Sequence, residues 1–228
     1  MIKFHPTVPT LQSFVEGSLP AADSLIVSTH CDMCLSCSNF THSCTESTAY
    51  SIFSDIIKND LSSRDYISMF ESITRDSNLV NVNLFTLKKP WIELDGRKFE
   101  LPATLTRFIN RVGEWSHLMG TLWQAPIEID GGSLVQLIYM EKGGSMPEHT
   151  HKGNEITLVL DGQFDDGKCS YTKGDYVALD QTHTHTPVSN VNEGCLVMVI
   201  LDKPLHFTAG WAKLINPLSQ LYFKVNTH

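Results

Sequence analysis

Apolar positions change their period near residue 80. Before it they recur at helical spacing. Leu11, Phe14 and Val15 follow Pro9, whose fixed φ suits a first helical turn, and Gly17 suits the cap that ends it. A second helix is predicted from Pro20 through Leu25 and Ile26 to His30. Two further helices follow from Tyr50, Phe53, Ile56 and Ile57, and from Tyr66, Ile67, Met69, Phe70 and Ile73. Later the pattern becomes strand-like. Asp95-Gly96 is a hairpin signal, and residues 134–139, 156–160, 176–179 and 195–200 are short β-rich runs separated by glycines. Such regular short strands indicate a barrel or sandwich. The expected organisation is a small helical bundle over residues 1–80, a linker over 81–90 and an all-β domain over 91–228.

Composition narrows the function classes. At 228 residues and 42% hydrophobic content, the chain is long enough for a sizeable core. A net charge of -8 argues against a nucleic-acid surface, which needs clustered Lys and Arg. Residues 1–80 carry nine acidic against four basic residues, a balance suited to a basic partner but equally to a solvated face. No stretch approaches the roughly 20 apolar residues of a membrane span, and the first residues lack a secretory apolar run, so a cytoplasmic location with no membrane partner is expected. Phe53, Ile57 and Met69, taken singly, read as core.

Three of the six cysteines, Cys31, Cys34 and Cys37, lie beside His30, which reads as a thiol cluster kept reduced and partly held by metal. On one continuous helix, residues 30, 34 and 37 would fall within about 60° of one another. A structural zinc needs a fourth ligand, and His5, just before the first helix, is the natural donor. Two thiolates with two imidazoles favour zinc over harder ions. Cys44 would lie about 10 Å further along the helix, too far to share the ion. Cys31 lies off the stripe, and an iron–sulfur run would want a cysteine where Thr41 stands. His42 reads as a surface residue.

A second ligand set follows in the β-rich half. Gly143, His149, His151, Glu155 and Gly162 have the full spacing of the first cupin motif, and His149 and His151, two apart on a strand, point to one side. The second motif starts at Gly174-Asp175, and its metal histidine falls on His185; His183 shares that strand parity and competes for the role. Asp180 and Thr182 stand where the motif usually has Pro and Gly. The set suits zinc, iron, manganese or nickel.

Together the two halves resemble the ChrR-type zinc anti-sigma factors. The resemblance rests on His5, the LQSFVEGSL and STHCDMCLSC segments, PEHTHKGNEITLVLDGQF, KGDYVALDQTHTHTPV and the late KPLHF, and covers nearly the whole chain. It implies a helical domain holding zinc through His5, His30, Cys34 and Cys37, and a jelly-roll cupin barrel holding a second metal through His149, His151, Glu155 and His185. It further implies a non-enzymatic regulator that sequesters an extracytoplasmic-function sigma factor and releases it on oxidant stress such as singlet oxygen. Cys31, Cys44 and His183 depart from the family pattern and put the trigger in question. The alternative is a metal-dependent cupin enzyme, a dioxygenase or isomerase, with a helical accessory domain.

Overall fold

The structure is a computed structural model that describes residues 1–57, 63–75, 91–94 and 96–226; the linker expected over 81–90 and Asp95 of the hairpin signal lie outside them. Four helices open the chain: α1 (Val8–Val15), α2 (Ala21–Met33), α3 (Leu35–Ile57) and α4 (Ser63–Arg75). Thr7 caps α1 by accepting the Thr10 N–H, Pro9 sits in the first turn, and Gly17 follows the helix at φ +69°.

The α2–α3 junction departs from expectation. His30, Cys34 and Cys37 do not share one helix: α2 ends at Met33, Cys34 is extended at φ −120°, ψ 102°, and α3 starts at Leu35. One non-helical residue turns the chain between the two helices. That corner brings residues 30, 34 and 37 together from different directions, which a single helix face does not do.

The β-rich half begins with the hairpin β1 (Trp91–Leu94) and β2 (Arg97–Glu100), turned at Gly96 with φ +76°. The short helix α5 (Ala103–Thr106) and a 3-10 turn at Ile109–Arg111 lead into β3 (Ser116–Met119), β4 (Leu122–Pro126) and β5 (Leu134–Met140). Then come β6 (His149–His151), β7 (Glu155–Asp165), β8 (Ser170–Thr172), β9 (Tyr176–Leu179), β10 (Thr184–His185), β11 (Cys195–Leu201) and β12 (Leu205–Phe207), and the chain ends in α6 (Asn216–Asn226). A seven-stranded antiparallel sheet runs β3-β4-β5-β11-β7-β8, with β9 also paired to β7, and a three-stranded sheet runs β10-β6-β12. Among the described residues the two sheets do not close into one continuous barrel; they enclose a core as separate layers.

Every residue of β5 and β11 is buried. A sheet with one wet face would alternate; these strands are covered on both faces. On one side Val159, Val197, Val199 and Phe207 pack between the sheets. On the other, Leu137, Leu158, Leu160, Met198 and Ile200 share a core with Leu11, Leu25, Ile26 and Val27 of α1 and α2 and with Phe99 of the hairpin. The helices therefore complete the packing of the β layer, with Ile26 and Val27 fully buried there.

Further along, the helices leave this support. Phe53 is 61% exposed and Met69 55%, so the expectation that they are core is corrected; Tyr50, Ile67, Phe70 and Ile73 are exposed as well. The Ile57 side chain lies outside the described ones. Helical spacing reveals an apolar stripe but does not say what covers it.

Candidate metal centres

The first cluster assembles at the α2–α3 corner. His30 is in the last turn of α2, Cys34 on the corner, Cys37 in the first turn of α3, and His5 precedes α1. Four ligand atoms, one from each, lie within 4.8 Å of one another. His30 Nε2 is 3.3 Å from Cys37 Sγ, and His5 Nδ1 is 3.4 Å from Cys34 Sγ and 3.5 Å from Cys37 Sγ. A tetrahedral ion bound at about 2.0–2.3 Å has ligand–ligand edges of roughly 3.3–3.8 Å, so these separations fit one.

The outer contacts of His30 select its donor atom. Its Nδ1 donates to the Gly174 carbonyl at 2.9 Å, which leaves the Nε2 lone pair facing the sulfurs. Burial, only partly offset by that bond, holds its pKa down at about 4, so the ring is neutral at pH 7. Burial first, then the Cys34 and Cys31 thiols, push Cys37 up to about 12. A metal-free thiol there stays protonated; a cation would reverse this by favouring the thiolate. His30, Cys34 and Cys37 are buried and His5 is exposed, so one edge faces solvent. Cys31 is half-buried and outside the cluster, as is Cys44. His42 is exposed beside Glu46.

The second cluster lies between the two sheets. Thr150 is only half-buried while His149 and His151 are buried, as a strand's alternation requires. Glu155 opens β7 after the Gly153 bend, and His185 pairs directly with His149 across β10 and β6. Ligand atoms of these four residues also lie within 4.8 Å of one another. His185 Nε2 is 2.9 Å from His149 Nε2 and 3.2 Å from His151 Nε2.

Those nitrogen contacts call for a shared positive centre. His149 Nδ1 donates to the Pro147 carbonyl at 2.8 Å, so its Nε2 is a bare acceptor. A proton on His185 Nε2 would serve one neighbour and not both. The Nδ1 of His185 is buried without a hydrogen-bond partner, and that of His151 has no hydrogen bond and faces Glu155 Oε2 at 3.4 Å. Burial holds His149 and His151 down at about 4 and, with their charges adding, His185 at about 3. It raises Glu155 to about 7, against the Thr157 hydroxyl that donates to Oε1 at 3.0 Å. Three neutral imidazoles and a desolvated carboxylate are a donor set that a divalent cation satisfies.

His183 does not join them. It turns to solvent and pairs with Asp180 at 2.9 Å. Asp180 also accepts the Thr182 N–H at 2.9 Å, so an Asx turn builds the loop where the motif usually has Pro and Gly. Sequence reading missed Gly174 as the partner of His30 and Asp175 as a buried anchor. In the sequence they stand out only as the opening of the second motif.

A helical unit with a His/Cys cluster, seated on a cupin with a His/Glu cluster, defines a class of two-centre protein. Residues 109–204 match the ChrR cupin-like domain family. It is 28% identical over 223 residues to the anti-sigma-E factor ChrR of Cereibacter sphaeroides, covering 96% of this chain and 99% of that one. The fold matches the crystal structure of Rhodobacter sphaeroides SigE in complex with the anti-sigma ChrR, with a TM-score of 0.63, 24% identity, and coverage of 89% of this chain and 100% of that one. No helix among the described residues is long and apolar enough to cross a membrane.

Proposed function

We propose that this chain is a cytoplasmic anti-sigma factor. Its helical unit, residues 1–80, sequesters an extracytoplasmic-function sigma factor, and the cupin, residues 91–228, takes part in releasing it under oxidant stress such as singlet oxygen. The observation that carries the reading is the set of large apolar side chains that the end of α3 and α4 each present to water: Tyr50 and Phe53, and Ile67, Met69, Phe70 and Ile73. Large exposed apolar patches mark interaction sites. The acidic balance of the unit suits the basic, polymerase- and DNA-facing surfaces of a sigma factor.

In this reading His5, His30, Cys34 and Cys37 hold zinc, and His149, His151, Glu155 and His185 hold zinc, iron, manganese or nickel. Held by these residues, zinc would join the start of the chain to the α2–α3 corner. Moving a complex from almost fully bound to almost fully released takes about 5.5 kcal/mol, and a structural zinc is worth on the order of 10 kcal/mol. Oxidation of Cys34 or Cys37 is therefore a sufficient trigger, whereas loss of one surface contact is not.

Co-expression with an extracytoplasmic-function sigma factor of the same genome tests the reading. The parent chain is expected to retain that sigma factor through purification. Phe70→Asp is expected to weaken the complex by about 2 kcal/mol, roughly 30-fold, with an unchanged urea midpoint. A parent that binds no such sigma factor, or a variant that binds as well as the parent, refutes it. A second reading, a metal-dependent cupin enzyme, draws on the apolar cavity of about 40 Å³ beside His149, Glu155 and His185. Turnover abolished by His149→Ala would favour it.

A further inference from the structure

Asp175 is fully buried, yet its carboxylate reaches far from its own neighbourhood. Oδ2 accepts the backbone N–H of Thr172 at 2.8 Å and its hydroxyl at 3.2 Å, closing the turn between β8 and β9. Oδ1 accepts the backbone N–H groups of Lys3 at 2.6 Å and Phe4 at 3.1 Å. The Tyr176 N–H adds a bond to the Phe4 carbonyl at 3.0 Å. The next residue is His5.

The same turn reaches the other imidazole. Gly174 accepts the His30 Nδ1 proton, and the Tyr176 ring meets the His30 ring edge-on at 5.9 Å between centroids. Gly174 has φ +92°, a backbone conformation that L side chains rarely adopt, and a Cβ there would lie 2.5 Å from Ile2 Cδ1, so that side chain would have to move. The turn itself is fixed to β7 by the bonds from Gly174 N–H to Val159 O at 2.8 Å and from Val159 N–H to Asp175 O at 3.1 Å. Residues of the β layer thus hold both histidines of a cluster whose two thiols belong to the helices. His5 is exposed; besides the sulfurs and an edge-on contact with the His30 ring at 5.5 Å between centroids, the anchorage of the two residues before it helps to place it.

We propose that Asp175 is a positioning residue for the His/Cys centre: the cupin turn Gly174-Asp175 orients His30 and delivers His5, so docking of the helical unit on the cupin sets how tightly the four-ligand site holds its ion. The proposal rests on the reading of His5, His30, Cys34 and Cys37 as metal ligands. Loss of docking and loss of metal then form one linked event, and a change in the cupin that shifts this turn lowers affinity at a site containing none of the cupin's own ligands. Supports of this kind typically alter metal affinity by about 10–100-fold.

The test uses the full chain loaded with Co²⁺ and with Zn²⁺. Charge-transfer absorption from thiolate to cobalt reports the His/Cys centre alone, because the other cluster has no sulfur. Asp175→Asn, which keeps the shape but sets an NH₂ group against a backbone N–H, is expected to weaken zinc at the thiolate centre at least tenfold in chelator competition. Its cobalt ligand-field spectrum should shift toward that of His5→Ala. In the His5→Ala background, Asp175→Asn should cost much less than in the parent, since both changes remove one ligand. A general loss of stability would instead multiply the two effects. Asp175→Ala, if it folds, should exceed Asp175→Asn; if it does not, the cycle with Asn decides alone. Parent-like affinity in Asp175→Asn, or losses that multiply in the double variant, overturns the proposal. A parent chain without thiolate–cobalt absorption would overturn the metal reading beneath it, and the two failures are distinguishable.

Discussion

Glu155→Gln should stabilise the metal-free protein at alkaline pH and weaken the metal-bound one. Burial raises the Glu155 pKa from 4.5 to about 7, so the metal-free fold prefers the neutral acid. A folded pKa above the unfolded one contributes stability that is full below pH 4.5 and is lost as pH rises through 7. The difference of about 2.5 units, at 1.36 kcal/mol per unit, puts the loss at about 3 kcal/mol by pH 8 and at about 1.4 kcal/mol at pH 5.5. Gln removes the charge while its carbonyl can still accept the Thr157 hydroxyl. Urea denaturation of both proteins in excess chelator, from pH 5 to 8, reads the effect. The stability difference between variant and parent should grow with pH by roughly 2 kcal/mol, the imidazole contributions cancelling between them. With metal restored the order should reverse, because Gln supplies no negative charge. Parallel pH profiles without metal would refute the claim that this carboxylate is desolvated for a cation.

The imidazoles act in the opposite direction. Their folded pKa values, about 4 for His149 and His151 and about 3 for His185, lie below 6.5, so the stability they contribute is present above pH 6.5 and lost as pH falls toward 4. Chelated protein should lose stability over that window, on the order of 3 kcal/mol for one imidazole and less than additively for three, partly offset by Glu155. An urea midpoint that is flat between pH 6.5 and 4.5 would contradict this. Ile26→Ala should cost about 2–5 kcal/mol, since that side chain is fully buried between α2 and the sheet; a loss of unfolding free energy below about 1 kcal/mol in urea denaturation would show that the helices do not depend on this contact.

The cupin cluster was more legible in the sequence than the helical one. Alternation alone aims His149 and His151 to one side, Glu155 follows after a glycine, and the second motif counts to His185. His30, Cys34 and Cys37 were legible as a group but not in their geometry, because nothing local marks Cys34 as the residue where α2 stops. The exposure of Phe53 and Met69 was hidden for a different reason: an apolar stripe looks the same whether it faces a core or water. Least legible were the bonds from Asp175 to Lys3 and Phe4, which span more than 170 residues and leave no periodic trace.

The sheet that is greasy on both sides makes detachment hazardous. Lifting α1 and α2 away would open the core that Leu137, Leu158, Leu160, Met198 and Ile200 share with them, an apolar slab on a layer of paired strands. A freed β layer of this kind sticks to its own copies or becomes a substrate for quality-control proteases, so full separation of the halves would spend the molecule rather than reset it. A reversible signal has to work by loosening the seat while keeping that slab dry.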